Sequence, residues 1–173
     1  MICGFGRVGQ NLARVLERRA FEFIALDFGP FRVRDARMAG EPVVYGDATH
    51  PEVLRALGLE HASVVVISFD EPATALRIVR AVRRLRADVP VLVRTEDDKF
   101  LEPLQAAGAT EVVPEAIEGS LMLASHALAL VGVPMRRVIR LVQEQRDARY
   151  GLLRGYFHGA DDDQPQIVCV RPG

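Results

Sequence analysis

The stretch of sequence that decides the fold lies at residues 4–9 and reads Gly4-Phe5-Gly6-Arg7-Val8-Gly9. Apolar residues precede it, a run with helical periodicity follows it, and the next apolar stretch ends at Asp27, eighteen residues after Gly9. This order is the fingerprint of dinucleotide-binding folds: a strand, a glycine turn, a helix, and a second strand that ends in an acidic residue. The sequence therefore predicts an adenine nucleotide as the first ligand to consider.

Each part of this fingerprint has a mechanical role. Gly4 lets the chain turn out of the strand, Gly6 lets backbone N–H groups approach a pyrophosphate, and Gly9 lets the helix pack closely. The phosphate then lies at the positive end of the helix dipole. Asp27 can accept hydrogen bonds from both ribose hydroxyls, and its charge disfavours a 2′-phosphate. We expect NAD(H), AMP or ADP rather than NADP; the alternative is a glycine turn without a ligand.

The composition is that of an ordinary protein domain. The chain has 173 residues, 49% of them hydrophobic, which suffices for one core with an appendage. Its formal net charge is −1 and it contains no block of basic residues, so nothing favours nucleic-acid binding. No apolar run reaches the roughly 18 residues that a membrane-spanning helix needs. Cys3 and Cys169 both lie in apolar runs, and we expect them to be buried and reduced.

Strand-like and helical patterns alternate along residues 1–114. Strands are predicted at 1–3, 23–27, 42–45, 62–67, 90–94 and 110–113, and helices at 7–19, 30–40, 51–57, 71–87 and 97–107. Because crossovers between parallel strands are right-handed, this pattern predicts a Rossmann-type, doubly wound α/β fold with a six-stranded parallel sheet. The apolar face of the first helix is expected to contain Val8, Leu12, Val15 and Leu16.

The segment 115–131 differs because it is apolar on two sides. One stripe contains Ile117, Leu121, Ala124, Leu128 and Val131, and the other contains Leu123, Ala127 and Leu130. A helix that is apolar on both sides must be covered on both sides. The second cover is either another copy of the chain or the helix's own domain. A polar helix is predicted at 135–150, so that residues 115–150 form a C-terminal helical arm.

The two ends of the chain carry separate expectations. The tail, residues 151–173, contains three glycines, an acidic run at 161–163 and one strand-like run at 167–170. A single strand without a neighbour indicates the start of a further module, or pairing with another chain. At the other end, few residues precede Gly4 for a central parallel strand. We therefore expect the chain to be a piece of a longer polypeptide, or one that starts abruptly.

Further motifs accompany the glycine turn. They are the Asp27 strand end, the turn Gly46-Asp47-Ala48-Thr49, and the turn Ala106-Ala107-Gly108-Ala109. With them, residues 1–131 resemble the nucleotide-binding RCK domain, also called KTN, of prokaryotic potassium channels and transporters. The start of the chain, the segment Asp70-Glu71-Pro72 and the Gly-Val-Pro after the 115–131 helix are most similar to Kef-type potassium efflux antiporters.

The resemblance implies a regulatory domain that binds NAD(H) or AMP and catalyses no reaction. It further implies the cytoplasmic domain of an inner (plasma) membrane transporter, whose membrane portion precedes residue 1 and performs K+/H+ antiport. Domains of this family dimerise through a helix after strand six. In this chain, that helix would be the one at 115–131.

The resemblance also implies roles for individual residues. The phosphate turn would comprise Gly4, Phe5, Gly6, Arg7, Val8 and Gly9; Asp27 would hold the ribose; and Asp47, Ala48 and Thr49 would line the adenine edge. Two of these residues have alternatives. Arg7 is either a bidentate donor near the phosphates or the dimer cleft, or an exposed residue of the first helical turn. Asp47 either accepts hydrogen bonds from the ligand or caps the helix near residue 51.

One segment departs from the Kef pattern. Kef proteins that are gated by glutathione carry two arginines, separated by one residue, at the end of strand five. The corresponding residues here are Arg94-Thr95-Glu96. Because Glu96 would repel an anionic tripeptide, the sequence disfavours glutathione as the regulator.

A nicotinamide-dependent oxidoreductase is the competing hypothesis. It needs a proton donor, and the candidates are His50, His61, His126 and His158. A lone histidine at a helix start, a strand entry, an apolar helix or a tail is usually a cap, surface or core residue. No group of histidines, cysteines and carboxylates has the spacing of a metal site. We therefore expect neither catalytic residues nor a metal.

Overall fold

The computed structural model describes residues 1–150 of the chain. The expectations about Cys169, His158 and the tail at 151–173 therefore lie outside the described residues. The chain divides into two compact units, Met1–Met122 and the part from Leu123 onward. The first unit contains the whole sheet.

The sheet has six parallel strands in the order β3-β2-β1-β4-β5-β6. The strands are β1 Ile2–Cys3, β2 Ala25–Asp27, β3 Val43–Tyr45, β4 Val65–Ile67, β5 Val91–Thr95 and β6 Glu111–Pro114. This order confirms the predicted Rossmann-type fold. The connections reverse direction at β1, which pairs with β2 on one side and β4 on the other. Ligands of such sheets bind where the strand order reverses, at the carboxyl ends of the strands.

Helices connect the strands and follow the sheet. They are α1 Arg7–Arg18, α2 Pro30–Met38, α3 Pro51–Ala56, α4 Pro72–Leu85, α5 Leu101–Ala106, α6 Glu115–Leu130 and α7 Met135–Tyr150. The helix predicted at 97–107 begins later in the structure, at Leu101. The Asp97 carboxylate accepts the Lys99 N–H at 3.1 Å, which makes a turn there and delays the helix to Leu101. Similarly, a 3-10 helix at Leu59–His61 comes before β4, and Val64 is exposed, so the strand predicted at 62–67 begins late.

The core occupies both faces of the sheet, because successive residues of a strand point to opposite sides. Ile2 packs in the cluster that includes α1 and α2, whereas Cys3 packs with α3, α4 and α5. The predicted apolar face of α1 is partly wrong. Val15 is 59% exposed, while the buried residues of this helix are Gly9 and Ala13. Small residues form the buried face because α1 lies close to the sheet.

Helix α6 has no buried residue in the single chain. Ile117, Leu121 and Leu128 of the first predicted stripe are half-buried. Leu123 and Leu130 of the second stripe are 74% and 87% exposed. Within residues 1–150, the core of the chain therefore does not cover the second stripe. Among the described residues, no helix combines the length and the apolar character that a membrane span requires.

Replacing Gly9 by alanine is expected to destabilise the fold by about 1–3 kcal/mol. A Cβ atom at residue 9 would lie 2.3 Å from the Gly4 carbonyl oxygen, so α1 would have to move away from the turn. Urea denaturation measures the loss. Gly6→Ala is the matched control, because a Cβ atom there meets nothing within 4 Å. Equal free energies of unfolding for the two variants would contradict the close-packing role of Gly9.

Candidate functional site

The turn between β1 and α1 points backbone donors at the carboxyl edge of the sheet. Gly4 has a φ of 98°, which side-chain-bearing residues rarely adopt, and a Cβ atom there would lie 2.8 Å from the Phe69 ring. Helix α1 begins after the extended Gly6, and no side chain caps it. The first N–H groups of a helix have no partner within the helix. Together with the helix dipole, they make this turn attractive to an anion.

Ser68, which follows β4, holds the turn in place. Its hydroxyl donates a hydrogen bond of 2.7 Å to the Gly4 carbonyl, and its backbone N–H donates one of 3.0 Å to the Cys3 carbonyl. Ser68 is 5% exposed. The sequence alone did not indicate this residue, since a serine after a buried strand is common in any loop.

Asp27 is a buried acid whose carboxylate is fully engaged by the protein. Its oxygens accept the backbone N–H groups of Phe5 and Gly29, both at 2.7 Å. They also accept the Arg32 guanidinium, with the closest distance 3.0 Å. Burial alone would raise the pKa of Asp27, but the hydrogen bonds from Arg32, Phe5 and Gly29 outweigh it and hold the pKa below its ordinary value. The carboxylate is therefore ionised and fixed in direction.

A cleft of about 330 Å³ opens beside these groups. Its walls contain Gly4, Gly6, Arg7, Val8, Leu26, Asp27, Phe28, Arg32, Gly46, Asp47, Ala48, Ser68, Phe69, Glu71, Thr74, Ile78 and Arg94. The volume lies at the lower end of the range for small-molecule sites, about 300–1,000 Å³. The cleft thus lies where a doubly wound sheet places its ligands.

Seven of the ten predicted site residues line this cleft, namely Gly4, Gly6, Arg7, Val8, Asp27, Asp47 and Ala48. Three do not. Phe5 is 2% exposed and stacks on Phe23, so it contributes its backbone N–H rather than its ring. Gly9 packs beneath the turn, and Thr49 lies at a neighbouring hollow with His50.

Asp47 shapes the turn after β3. Its carboxylate accepts the Thr49 N–H at 2.8 Å. Burial opposes ionisation, but the hydrogen bonds from Thr49 and the nearby His50 outweigh it and lower the pKa of Asp47. The residue that precedes α3 is His50, whose side chain makes no capping bond. Asp47 therefore supports the turn before the helix, at the wall of the cleft, and is not the N-cap of α3.

Arg94, near the end of β5, is a third arginine that lines the cleft. It forms an ion pair with Glu115, the first residue of α6, and this hydrogen bond raises the pKa of Arg94. Its Nε atom is buried without a hydrogen-bond partner. The negative charges of Asp70 and Glu96 also raise the pKa of Arg94, and the Asp70 carboxylate accepts the Glu96 N–H at 3.0 Å. Acidic groups thus surround Arg94.

The lining residues that sequence reasoning missed follow strands β2 and β4 or belong to the helices behind them. Arg32 lies on α2, Phe69 follows β4, and Glu71 and Thr74 lie at the start of α4. The carboxyl ends of adjacent parallel strands meet at one edge. That rule could have identified Phe69, but no sequence signal indicates that Arg32 reaches back to Asp27.

The described histidines do not line the cleft, although His50 Nδ1 lies 3.9 Å from the carboxylate of Asp47, a lining residue. His50 precedes α3, His61 ends the 3-10 helix, and His126 is exposed on α6. Within residues 1–150, no group of three or more histidines, cysteines and carboxylates could hold a metal ion. The cleft offers donors and acceptors, and no histidine or cysteine of the described chain lines it.

Comparison with known families agrees with this geometry. Residues 1–115 match the TrkA-N domain family over two thirds of the chain. The chain belongs to the TrkA-N family. This match, together with a Kef relative and a Kef structure, confirms the resemblance to RCK domains and to those of Kef-type antiporters in particular.

Relatives of this TrkA-N chain include proteins named as potassium efflux antiporters. KefB of Alkalimonas amylolytica, named as a K(+) efflux antiporter, is 48% identical over 98% of this chain and 26% of its own length. K(+) efflux antiporter 1, chloroplastic, of Arabidopsis thaliana is 40% identical over 84% of this chain and 12% of its own length. The chain therefore spans about a quarter or less of these relatives.

Solved structures of related domains superpose on this TrkA-N chain. The Kef CTD of Shewanella denitrificans in its AMP-bound form has a TM-score of 0.72 and 26% identity, covering 88% of this chain and 94% of that one. The GsuK channel bound to NAD has a TM-score of 0.65 and 25% identity, covering 70% of this chain and 22% of that one. Both structures are described as complexes with an adenine nucleotide, AMP in the first and NAD in the second.

Asp27→Asn is expected to lower the free energy of unfolding at pH 7 by about 1–3 kcal/mol. The new amide group would turn its NH2 donor toward the backbone N–H of Phe5 or Gly29, so that one of these N–H groups would lose its acceptor. Since the folded pKa of Asp27 lies below the unfolded value, its contribution is present above roughly pH 4 and is lost as the pH falls through the folded pKa. The stability difference between parent and variant should therefore shrink below roughly pH 4. Urea denaturation across this range checks it, and a difference independent of pH would contradict the assignment.

Proposed function

We propose that this chain is a regulatory nucleotide-binding domain. It would gate a membrane transporter that carries out potassium efflux by K+/H+ antiport. The observation that carries the proposal is the composition of the cleft. A glycine turn, a helix N-terminus and a buried, ionised Asp27 meet at one edge of the sheet. These groups suit the phosphate and ribose of a nucleotide, and no histidine or cysteine of the described residues lines the cleft beside them.

The ligand that fits this arrangement is AMP or the adenosine half of NAD(H). A phosphate would lie at the N-terminus of α1, where Arg7 can add a bidentate contact. The ribose would lie at Asp27, and the adenine beside the turn that contains Asp47 and Ala48. The AMP-bound Kef CTD and the NAD-bound GsuK channel support this choice of ligand.

The division of the chain follows from the same reading. Residues 1–114 would form the nucleotide-binding domain, and 115–150 the helix and arm for assembly. The lengths of the relatives support a membrane portion elsewhere in the same polypeptide or complex. The domain would then act on the cytoplasmic side of the inner membrane.

Control by glutathione does not fit the wall around Arg94. The guanidinium already has Glu115 as its partner, and Asp70 and Glu96 add negative charge beside it. An anionic tripeptide would meet more acidic than basic groups there. The signal for this domain would therefore be the nucleotide itself.

Asp27→Ala should weaken AMP binding by about 1–3 kcal/mol, since a charge-assisted acceptor for the ribose is lost. Isothermal titration calorimetry measures the change. Asp35→Ala is the matched control, because Asp35 is an exposed carboxylate on α2 that pairs with Arg34. Equal AMP affinity of Asp27→Ala and the parent would contradict the ribose assignment. Steady turnover of NADH with a small carbonyl substrate would favour the oxidoreductase instead.

A homodimer through α6 would cover the exposed second stripe. The double substitution Leu123→Glu and Leu130→Glu should give monomers in sedimentation experiments, because it places charges in an apolar interface. Met38→Glu is the control, since Met38 is 81% exposed on α2 and lies outside the proposed interface. A parent that is monomeric at micromolar concentration would contradict the dimer.

In the full transporter reconstituted into vesicles, AMP or NAD(H) should change the rate of potassium flux. A ligand shifts such an equilibrium only by its differential affinity for two states, so we expect a coupling of about 1–3 kcal/mol. Asp27→Ala should abolish the response, and Asp35→Ala should retain it. Flux that ignores both nucleotides in the parent would contradict the gating role.

A further inference from the structure

The Asp27 carboxylate, which is the proposed acceptor for the ribose, already accepts hydrogen bonds from groups of the protein. A carboxylate offers about four acceptor positions on its two oxygens. Phe5 N–H occupies one on Oδ2, and Gly29 N–H occupies one on Oδ1. The Arg32 guanidinium takes the other two, with Nη2 3.0 Å from Oδ1 and Nε 3.2 Å from Oδ2.

We propose that Arg32 is a built-in competitor of the ribose, which a nucleotide must displace from Asp27 before both of its hydroxyls can bind. This inference rests on the proposed function. The backbone donors cannot leave, because Phe5 belongs to the glycine turn and Gly29 precedes α2. The guanidinium can leave, because the Arg32 side chain is 51% exposed whereas that of Asp27 is 4% exposed.

The residue before α2 makes room for this contact. Gly29 has a φ of −80°, so its backbone does not require glycine. A Cβ atom there would lie 2.7 Å from Arg32 Nη2 and 3.0 Å from Asp27 Oδ1. The missing side chain of Gly29 therefore leaves the space in which the guanidinium lies against the carboxylate.

Exchange of Arg32 for the ribose replaces two guanidinium donors by two hydroxyl donors. The carboxylate keeps its four hydrogen bonds, so the cost of binding is the lost ion pair. Exposed or half-exposed ion pairs are weak, and the competition should lower the affinity by a modest factor. A ligand without ribose hydroxyls has nothing to offer Asp27 and would leave Arg32 in place.

The test compares AMP with 2′,3′-dideoxy-AMP, which carry the same charge. The measured quantity is the ratio of the two dissociation constants, dideoxy-AMP over AMP, by calorimetry or competition. In Arg32→Ala this ratio should rise about three- to tenfold over the parent, because AMP alone gains from removal of the competitor. Using the ratio cancels the effect of the lost positive charge on the phosphate.

Two further variants sharpen the result. Arg32→Lys keeps the charge but lacks the planar, two-donor group, so the ratio should also rise. Arg34→Ala removes an exposed arginine that pairs with Asp35 on the same helix, and it should leave the ratio unchanged.

Several outcomes would overturn the inference. A ratio that is unchanged or lower in Arg32→Ala would show that Arg32 does not compete with the ribose, or that it binds the ligand. Tighter binding of NADP than of NAD by the parent, lost in Arg32→Ala, would assign Arg32 to a 2′-phosphate. Failure of the parent to bind AMP would contradict this inference, and failure to bind NAD(H) as well would contradict the proposed function with it. Normal AMP binding with an unchanged ratio would contradict the inference alone.

Discussion

The hydrogen bonds from two backbone amides to the buried Asp27 carboxylate are the interaction on which the site depends. They join the end of β2 to the glycine turn on one side and to the start of α2 on the other. An ionised acid in this position would be costly without such donors. Because the fold supplies them, the charge stays in place, and the turn, the first helix and the Asp27 carboxylate have one fixed geometry.

The cleft combines charges of both signs at short range. The N-terminus of α1 and Arg7 favour an anion, whereas Asp27 and Asp47 favour hydroxyl or N–H donors. A nucleotide has these features in the same order, a phosphate followed by a ribose and a base. Arg94 stands apart, because Glu115 already neutralises it. In the proposed role, the first set of groups would face the phosphate, and the second would face the sugar and the base.

Local patterns were sufficient for the fold and for the backbone part of the site. The alternation of strands and helices predicts the sheet, and the glycine spacing predicts the turn, because both depend on residues that are adjacent in sequence. Contacts between distant elements were not predictable in this way. The hydrogen bond from Ser68 to Gly4 spans sixty-four positions, and the contact between Arg32 and Asp27 depends on the space at Gly29. Helix α1 buries Gly9 and Ala13 rather than Val15, because the sheet is too close for large side chains.

The position of Arg32 on a half-exposed face of α2 separates two kinds of residue in the cleft. Gly4, Asp27 and Ser68 are buried, and a substitution there disturbs the fold together with the site. Arg32 touches the same carboxylate from the solvent side. In the proposed regulatory role, substitution of this one exposed residue would change the nucleotide concentration to which the domain responds, while the buried residues of the cleft stay the same.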